Sequence, residues 1–238
     1  DSDGVYVVFH NKLDLKTDVM MTQVLEGRVR LDGFKNNDSD REIEPFGHEY
    51  NDPLDYDKGM AYDNHFTFKH YLTAIRLFVR AEQSNLSLIS WRQINNVVIE
   101  GQPSTVRIRL PETADSWGEA VQWYDYKDMS IVKDAMFDED PGIDGFTGYG
   151  ESASYPVALE DVISMDGKYL GYALVQPGVT IPVELHTDAG VFSIEIDPET
   201  LEKTSDTGDS VPVEDGFGFE AGCIYNIFID IKTDDSIN

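Results

Sequence analysis

Residues 181–196 read IPVELHTDAGVFSIEI, and this stretch decides the fold class. Apolar side chains recur at every second position on both sides of Asp188-Ala189-Gly190: they are Ile181, Val183 and Leu185 before it, and Phe192, Ile194 and Ile196 after it. Because a strand points successive side chains to opposite faces of its sheet, this repeat is typical of two half-buried strands. The turn between them predicts an antiparallel hairpin of Ile181–Thr187 with Val191–Ile196.

The repeat of two extends over most of the chain. It predicts further strands at Val5–His10, Thr22–Leu31, Ile94–Glu100, Thr105–Leu110, Tyr169–Gln176 and Tyr225–Ile231. Turn-forming pairs such as Asp166-Gly167 and Pro177-Gly178 lie between these strands, without the long helical crossovers that parallel sheets need. We therefore predict an all-β protein built from antiparallel β-sandwiches.

Two stretches depart from simple alternation. The apolar positions of Phe66–Ala81 change phase after Leu72, which either a β-bulge or a short helix would explain. Ser116-Trp117-Gly118-Glu119 has the spacing of a capping box and predicts a short helix that runs toward Tyr124.

The composition restricts the function. Eighteen Lys and Arg residues against 45 Asp and Glu residues give a net charge of −27 over 238 residues. Such a surface repels phosphate backbones and anionic lipids, which excludes a general nucleic-acid binder. The single cysteine, Cys223, cannot form an internal disulfide, and no apolar run approaches the ~20 residues of a membrane helix.

A change in residue composition near residue 113 predicts a domain boundary. The strand Thr105–Leu110 ends at Pro111, and an aromatic-rich segment begins at Trp117. We therefore predict an N-terminal β-sandwich domain at 1–113 and a C-terminal one at 114–238. The polar stretches Lys35–Lys58 and Asp138–Ser154 are predicted to be long surface loops.

The residue types that support catalysis do not occur in recognisable motifs. The five histidines lack zinc-site spacing, His70 fits a hydrogen-bonded core or edge histidine, and no nucleophile elbow or phosphate loop is present. We expect no catalytic centre and no cofactor, with a carboxylate-pair glycosidase as the remaining enzyme alternative.

Two kinds of binding site are nevertheless possible on the predicted loops. Asp138, Asp140 and Asp144 place hard oxygen ligands on one loop and are candidates for calcium, although they do not match the twelve-residue calcium loop. The aromatic side chains of Trp117, Phe146 and Tyr149 are candidates for a ligand site, because exposed rings stack on sugars or anchor protein partners.

Several segments, in order, resemble the fimbrillin-like proteins of Bacteroidetes, the subunits of type V pili. Phe68, His70, Leu72 and Ile75 are similar to the family pattern FxHxLxxIxxxV, and Ile94–Ile99 resembles the strand that follows it. Ala173–Gly178 resembles the family's second-half lxPQ region with the order Gln176-Pro177. Ala221–Ile231 resembles its closing strand, with Cys223 where a lysine is common.

The resemblance implies two tandem transthyretin-like β-sandwiches in a fimbrial structural or adhesive subunit, exported by a signal peptide that this chain does not show. It also implies a lipoprotein of the outer membrane and cell surface. The protein would contact the membrane only through a lipoprotein anchor, which is removed from or absent in this chain. Its partners would be other fimbrial subunits, with a host protein or glycan as the adhesion target. Proteolysis of an N-terminal segment would open an acceptor groove in the first domain for a neighbour's strand.

Two features bear on how this chain would follow that scheme. Lys35 and Arg41 are candidate sites for trypsin-like cleavage. Only Lys232–Asn238 follows the last predicted strand, which is short for a donor tail and favours a tip or other non-stalk subunit, or a tail absent from this sequence. The alternative function is a surface carbohydrate-binding module on the same fold, with its sugar site at Trp117, Phe146 and Tyr149.

Overall fold

The computed structural model describes residues 4–22, 68–81, 92–111, 117–134, 152–158, 167–199, 202–204, 210–212 and 218–231. The strands in these ranges are β1 (Tyr6–Phe9), β2 (Met20–Thr22), β3 (Phe68–His70), β4 (Thr73–Ala81), β5 (Gln93–Arg109), β6 (Glu119–Ser130), β7 (Val157–Ala158), β8 (Lys168–Val175), β9 (Ile181–Thr187), β10 (Val191–Ile196), β11 (Glu202–Thr204), β12 (Ser210–Pro212) and β13 (Ile224–Ile231). Every regular element of the described residues is a strand, which confirms the predicted all-β class. Within these ranges there is no helix long and apolar enough to cross a bilayer.

The strands form two larger sheets and two ribbons. The first sheet has the order β1-β5-β9-β10, with β6 and β7 also paired with β5, and the second has the order β13-β4-β8. The ribbons are β2–β3 and β11–β12. Contacts divide the chain into two compact units, Asp1–Val7 with Met20–Lys69 and Ile108–Val121, and Val8–Val19 with His70–Arg107 and Gln122–Asn238.

The hairpin predicted from residues 181–196 is confirmed. β9 and β10 pair antiparallel, with Ile181 opposite Ile196 and Leu185 opposite Phe192. The turn closes through a 2.8 Å hydrogen bond from the Thr187 N–H to the carbonyl oxygen of Gly190, whose φ of +144° suits glycine. On β9, Ile181 and Leu185 are completely buried, as the alternation requires.

The core of the second unit lies between the inward faces of the two larger sheets. One sheet contributes Ile94, Val97, Ile99, Val183 and Leu185, and the other contributes Ile75, Leu77, Val79, Leu170, Ile227 and Ile229. All of these side chains belong to one buried cluster, so the second unit has the layered core of a sandwich.

Residues 68–81 form strands, so the helix alternative for this stretch is wrong. The phase change arises because β3 ends at His70 and β4 begins at Thr73, and the ladder between β4 and β8 has a second irregularity between Leu77 and Phe78. Every residue from Thr73 to Val79 is buried. A central strand covered on both faces loses the polar alternation that would identify it.

β13 and β4 pair parallel, from Ile224 opposite Ala74 to Ile231 opposite Ala81. The expectation of purely antiparallel sheets is therefore wrong at this pair. The two strands are far apart in the chain, so the connection between them passes through strands of the first sheet and needs no helical crossover.

Two further local predictions need correction. Ile94–Glu100 and Thr105–Leu110 belong to one strand, β5, because Gly101 with a φ of +57° bends the strand without ending it. The helix predicted after Ser116 is wrong in its described part, since β6 occupies Glu119–Ser130 and pairs with β5. Of the predicted strand Thr22–Leu31, only Thr22 lies within the described residues.

The division of the chain at 113/114 stays a prediction, and strand pairing constrains it. β4 pairs with β8 and β13, and β5 pairs with β9. Each of these pairs joins strands from the two sides of residue 113. Two domains divided at this boundary would therefore be joined by sheets that contain strands from both of them.

We expect the protein to lose stability in alkali through two half-buried tyrosines. Burial raises the pKa of Tyr169 to about 12, and burial also raises the pKa of Tyr155, whose hydroxyl donates a 2.7 Å hydrogen bond to the Leu170 carbonyl oxygen. Since the unfolded value is about 10, the contribution of the neutral phenols is complete below about pH 10 and is lost as the pH rises toward the folded values. Urea unfolding between about pH 8 and about pH 12 measures this fall.

The variant Tyr155→Phe is the control for this prediction. Its free energy of unfolding at neutral pH should be lower, because the Leu170 carbonyl oxygen loses its donor. Its further loss in alkali should be smaller than that of the unmodified chain, because one ionisable phenol is gone. Identical pH profiles for the two proteins would contradict a role of Tyr155.

Candidate functional site

In the described ranges, five strands of the larger sheets pair with a neighbour on one side only. They are β1, β6, β7, β10 and β13, with 4, 12, 2, 6 and 8 residues respectively. A strand edge exposes a row of backbone N–H and C=O groups that can pair with another chain. β6 is longer than β13, but positive φ angles at Ala120 and Asp125 interrupt its extended backbone. β13 is therefore the longest uninterrupted edge and the best candidate for an assembly site.

The opposite edge of the same sheet, β8, is covered within the described chain. Val132 and Tyr172 exchange two backbone hydrogen bonds of 3.0 and 2.9 Å, and Leu174 donates a 2.8 Å bond to the carbonyl oxygen of Leu15. These contacts use the outer backbone groups of β8. The sheet therefore has one covered edge and one edge, β13, without a described neighbour.

The orientation of the β13 backbone follows from one hydrogen bond. The carbonyl oxygen of Cys223 accepts a 2.9 Å bond from the N–H of Ala74 on β4. Because backbone groups alternate in direction along a strand, the residues at 225, 227, 229 and 231 face β4. The N–H and C=O groups of Ile224, Asn226, Phe228 and Asp230 face away from β4, along the outer side of the strand.

The side chains of β13 hold it firmly to the sheet. Ile227, Ile229 and Ile231 are buried in the core. On the other face, Phe228 stacks on Phe78 with 5.1 Å between ring centroids.

An ion pair on the same face supports this contact. The Arg80 guanidinium lies 5.0 Å from the Phe228 ring centroid, and its Nη2 donates a 2.9 Å bond to Asp230 Oδ2. The hydrogen bond to Asp230 raises the pKa of Arg80, against the opposing effect of burial. Both side chains are about two-fifths exposed, at 39% and 43%, so solvent limits the pair to at most about 1 kcal/mol.

His70 lies beside the turn that leads into β13. Its Nδ1 is 2.5 Å from Asp18 Oδ2, and Asp18 Oδ1 accepts a 2.8 Å bond from the Val19 N–H. A Cβ at Gly222 would lie 3.5 Å from the Cβ of His70. His70 is thus the hydrogen-bonded edge histidine that the sequence predicts, and it links the segment before β2 to the start of β13.

His10, Thr105 and Asp125 have the residue types of a nucleophilic triad but a different geometry. Thr105 Oγ1 and Asp125 Oδ2 lie 3.4 and 3.8 Å from the same nitrogen, His10 Nδ1. In a triad the histidine uses one nitrogen for the nucleophile and the other for the carboxylate. Here the Thr105 hydroxyl instead donates a 2.7 Å bond directly to Asp125.

The same cluster explains two strained backbone positions. Asn11 and Asp125 have φ angles of +51° and +57°. The N–H of Asn11 donates to Thr105 Oγ1 at 3.0 Å, and the Ser104 hydroxyl donates to the Asp125 carbonyl oxygen at 2.8 Å. The cluster therefore fastens the segment after β1 to β5 and β6.

Most of the residues predicted to form sites lie outside the described residues: they are Lys35, Arg41, Asp138, Asp140, Asp144, Phe146 and Tyr149. Trp117 is described and is half-buried in the first unit. The calcium site, the aromatic ligand site and the cleavage sites stay predictions. In the part of the chain that the structure describes, no three His, Cys, Asp or Glu side chains are grouped as metal ligands.

No family model matches this chain, and no curated protein matches it. Solved structures similar to it include a provisionally assigned cell adhesion protein from Bacteroides uniformis (13% identity, TM-score 0.37), another from Bacteroides ovatus (11%, 0.32), and a fimbrial protein from Bacteroides vulgatus (14%, 0.33). Each match covers 73% of this chain and 50%, 45% and 54% of the other chain, respectively. The chain therefore spans about half the length of these proteins. At this identity and TM-score, the matches do not assign it to a family.

Proposed function

We propose that this protein is a structural or adhesive subunit of bacterial surface fimbriae and that a strand from a neighbouring subunit adds to the outer side of β13. The observation that supports the proposal is the eight-residue edge of β13, which has no neighbour in the described chain on the side away from β4. An added strand would gain main-chain hydrogen bonds along this row.

The packing of β13 favours the stable addition of a strand from a neighbouring subunit. The core-facing side chains of β13 are buried, and Phe78 and Arg80 contact Phe228 on the opposite face of the sheet. The strand is therefore already ordered before a partner arrives. An ordered template reduces the conformational entropy that association costs. Ile224 is 42% exposed at the start of the strand and provides apolar surface for the incoming strand.

The remainder of the proposal rests on the resemblance to fimbrillin-like proteins. It includes tandem transthyretin-like sandwiches at 1–113 and 114–238, export to the cell surface as an outer-membrane lipoprotein, cleavage at Lys35 or Arg41, and the absence of catalysis. The resemblance implies an acceptor in the first domain. We place the acceptor at β13 instead, because β4 and β5 lie inside their sheets and β1 offers only four residues.

The proposal is tested by Asn226→Pro. The N–H of Asn226 points away from β4, so proline removes a donor for an added strand and leaves the β4–β13 ladder intact. We expect the purified variant to keep its free energy of unfolding within about 1 kcal/mol. In cells that produce the full-length protein, electron microscopy with antibody labelling should show loss of labelled surface filaments.

Asn226→Ala is the matched control, because it removes the same side chain and keeps the N–H. It should assemble like the unmodified protein. Normal filaments from a folded Asn226→Pro variant would exclude β13 as the acceptor edge. Soluble monomers from all three proteins, with no labelled filaments or tips, would contradict the fimbrial function itself.

A further inference from the structure

A groove of about 510 Å³ lies in the second unit, beside the bend of β5. Its lining includes Glu100, Gly101, Tyr126, Asp128 and Gln176. The volume is within the range of roughly 300–1,000 Å³ that small-molecule sites have. The groove is separate from the β13 edge and has no part in strand addition.

The bend at Gly101 creates the groove. Its φ is +57°, and its N–H donates a 2.9 Å hydrogen bond to Asp128 Oδ1 on β6 instead of to a backbone carbonyl. A side-chain oxygen thus takes the place of a backbone acceptor in the pairing of β5 with β6. Such local disruptions of strand pairing are frequent next to functional sites. A Cβ at Gly101 would meet no atom within 4 Å, so the space beside it is open.

A buried amide holds the far side of the groove in place. Gln102 is only 2% exposed, and its Nε2 donates a 3.3 Å bond to the carbonyl oxygen of Glu100. Its Oε1 accepts a 3.2 Å bond from the N–H of Gln176, which begins the turn before β9. Both sides of the groove are therefore positioned by one side chain that is itself part of the lining.

Tyr126 supplies an exposed aromatic ring at this site. The residue is 56% exposed, and its hydroxyl donates a 3.2 Å bond to Gln176 Oε1. The hydrogen bond fixes the end of a ring that would otherwise be free to rotate. An exposed ring held in one orientation offers a flat apolar face bordered by hydrogen-bonding groups.

We propose that this groove binds an uncharged saccharide unit. A sugar ring has an apolar face that suits Tyr126 and hydroxyl donors that suit the carboxylates of Asp128 and Glu100 and the amide of Gln176. The charged side chains in the lining are both acids, and the chain carries a net charge of −27, so phosphorylated or sialylated ligands are disfavoured. The site differs from the predicted aromatic site at Trp117, Phe146 and Tyr149.

The test is a glycan array of uncharged oligosaccharides, followed by titration of the best-bound member. We expect saturable binding that Tyr126→Ala weakens about tenfold or more. Gly101→Asn should weaken it similarly by filling the open space, and asparagine tolerates the left-handed backbone there. Tyr124→Ala is the control, because Tyr124 is 42% exposed on the same strand but does not line the groove.

Three results would overturn the proposal. The first is no saturable binding to any uncharged oligosaccharide on the array. The second is binding that survives both Tyr126→Ala and Gly101→Asn, which would place the sugar elsewhere. The third is preference for a lysine-rich peptide, displaced by salt, which would show that Glu100 and Asp128 select cations. Asn226→Pro should leave the binding unchanged, so this test and the assembly test fail independently.

Discussion

Gly171→Ala is expected to destabilise the protein by about 3 kcal/mol or more, measured by urea unfolding of the purified chain. Gly171 has a φ of +134°, and a Cβ there would overlap the carbonyl oxygen of Val132 and lie 3.1 Å from Ile131 Cγ1. Val132 is bridged to Tyr172 by two backbone hydrogen bonds, so its carbonyl cannot move without breaking the cover of the β8 edge.

The matched control for this substitution is Gly190→Ala. Gly190 has a similar φ of +144° in the β9–β10 turn, but a Cβ there would meet no atom within 4 Å. The control variant should lose only the cost of backbone strain, about 1–2 kcal/mol. The difference between the two variants measures the steric overlap with Val132. Equal losses would show that β8 and Val132 can separate at little cost.

Ile229→Ala is expected to lower the free energy of unfolding by about 2–5 kcal/mol. Ile229 is 1% exposed in the core cluster, on the strand that we propose as the assembly edge. Truncation removes three carbon atoms from a packed interior, and the strand cannot shift to fill the space because it is paired along its length with β4.

Ile224→Ala is the control on the same strand. Ile224 is 42% exposed, so the same truncation should cost less than about 1 kcal/mol. Urea unfolding followed by tryptophan fluorescence gives both values under one set of conditions. If the two substitutions cost the same, β13 would not be packed as described, and the ordered template that strand addition requires would be absent.

Strands could be predicted from the sequence, and with them the fold class, wherever one face of the strand is exposed to solvent. β9 and β10 alternate clearly because their pairing is local and their outer faces meet water. The pattern is ambiguous at β4, because a strand buried on both faces carries no alternation. The continuity of β5 is also invisible in the sequence, because a glycine bend leaves the same signal as a turn.

The candidate sites were harder to predict than the fold. Tyr126 stood in the sequence as one aromatic residue of the segment after Trp117, with no sign that Gln176 would lie 3.2 Å away. Asp18 gave no signal as the partner of His70, because 52 positions separate the two residues. These contacts depend on which strands become neighbours.

The sequence by itself determined that this is an acidic, all-β protein with a β9–β10 hairpin, because charge and local alternation are properties of neighbouring residues. Tertiary structure alone decided that β13 pairs parallel with β4 and lies at an edge, and that a bend at Gly101 opens a groove beside Tyr126. An edge exists only because no further strand pairs there in the described chain. A groove forms only where distant segments meet, so neither can be read from a single stretch of residues.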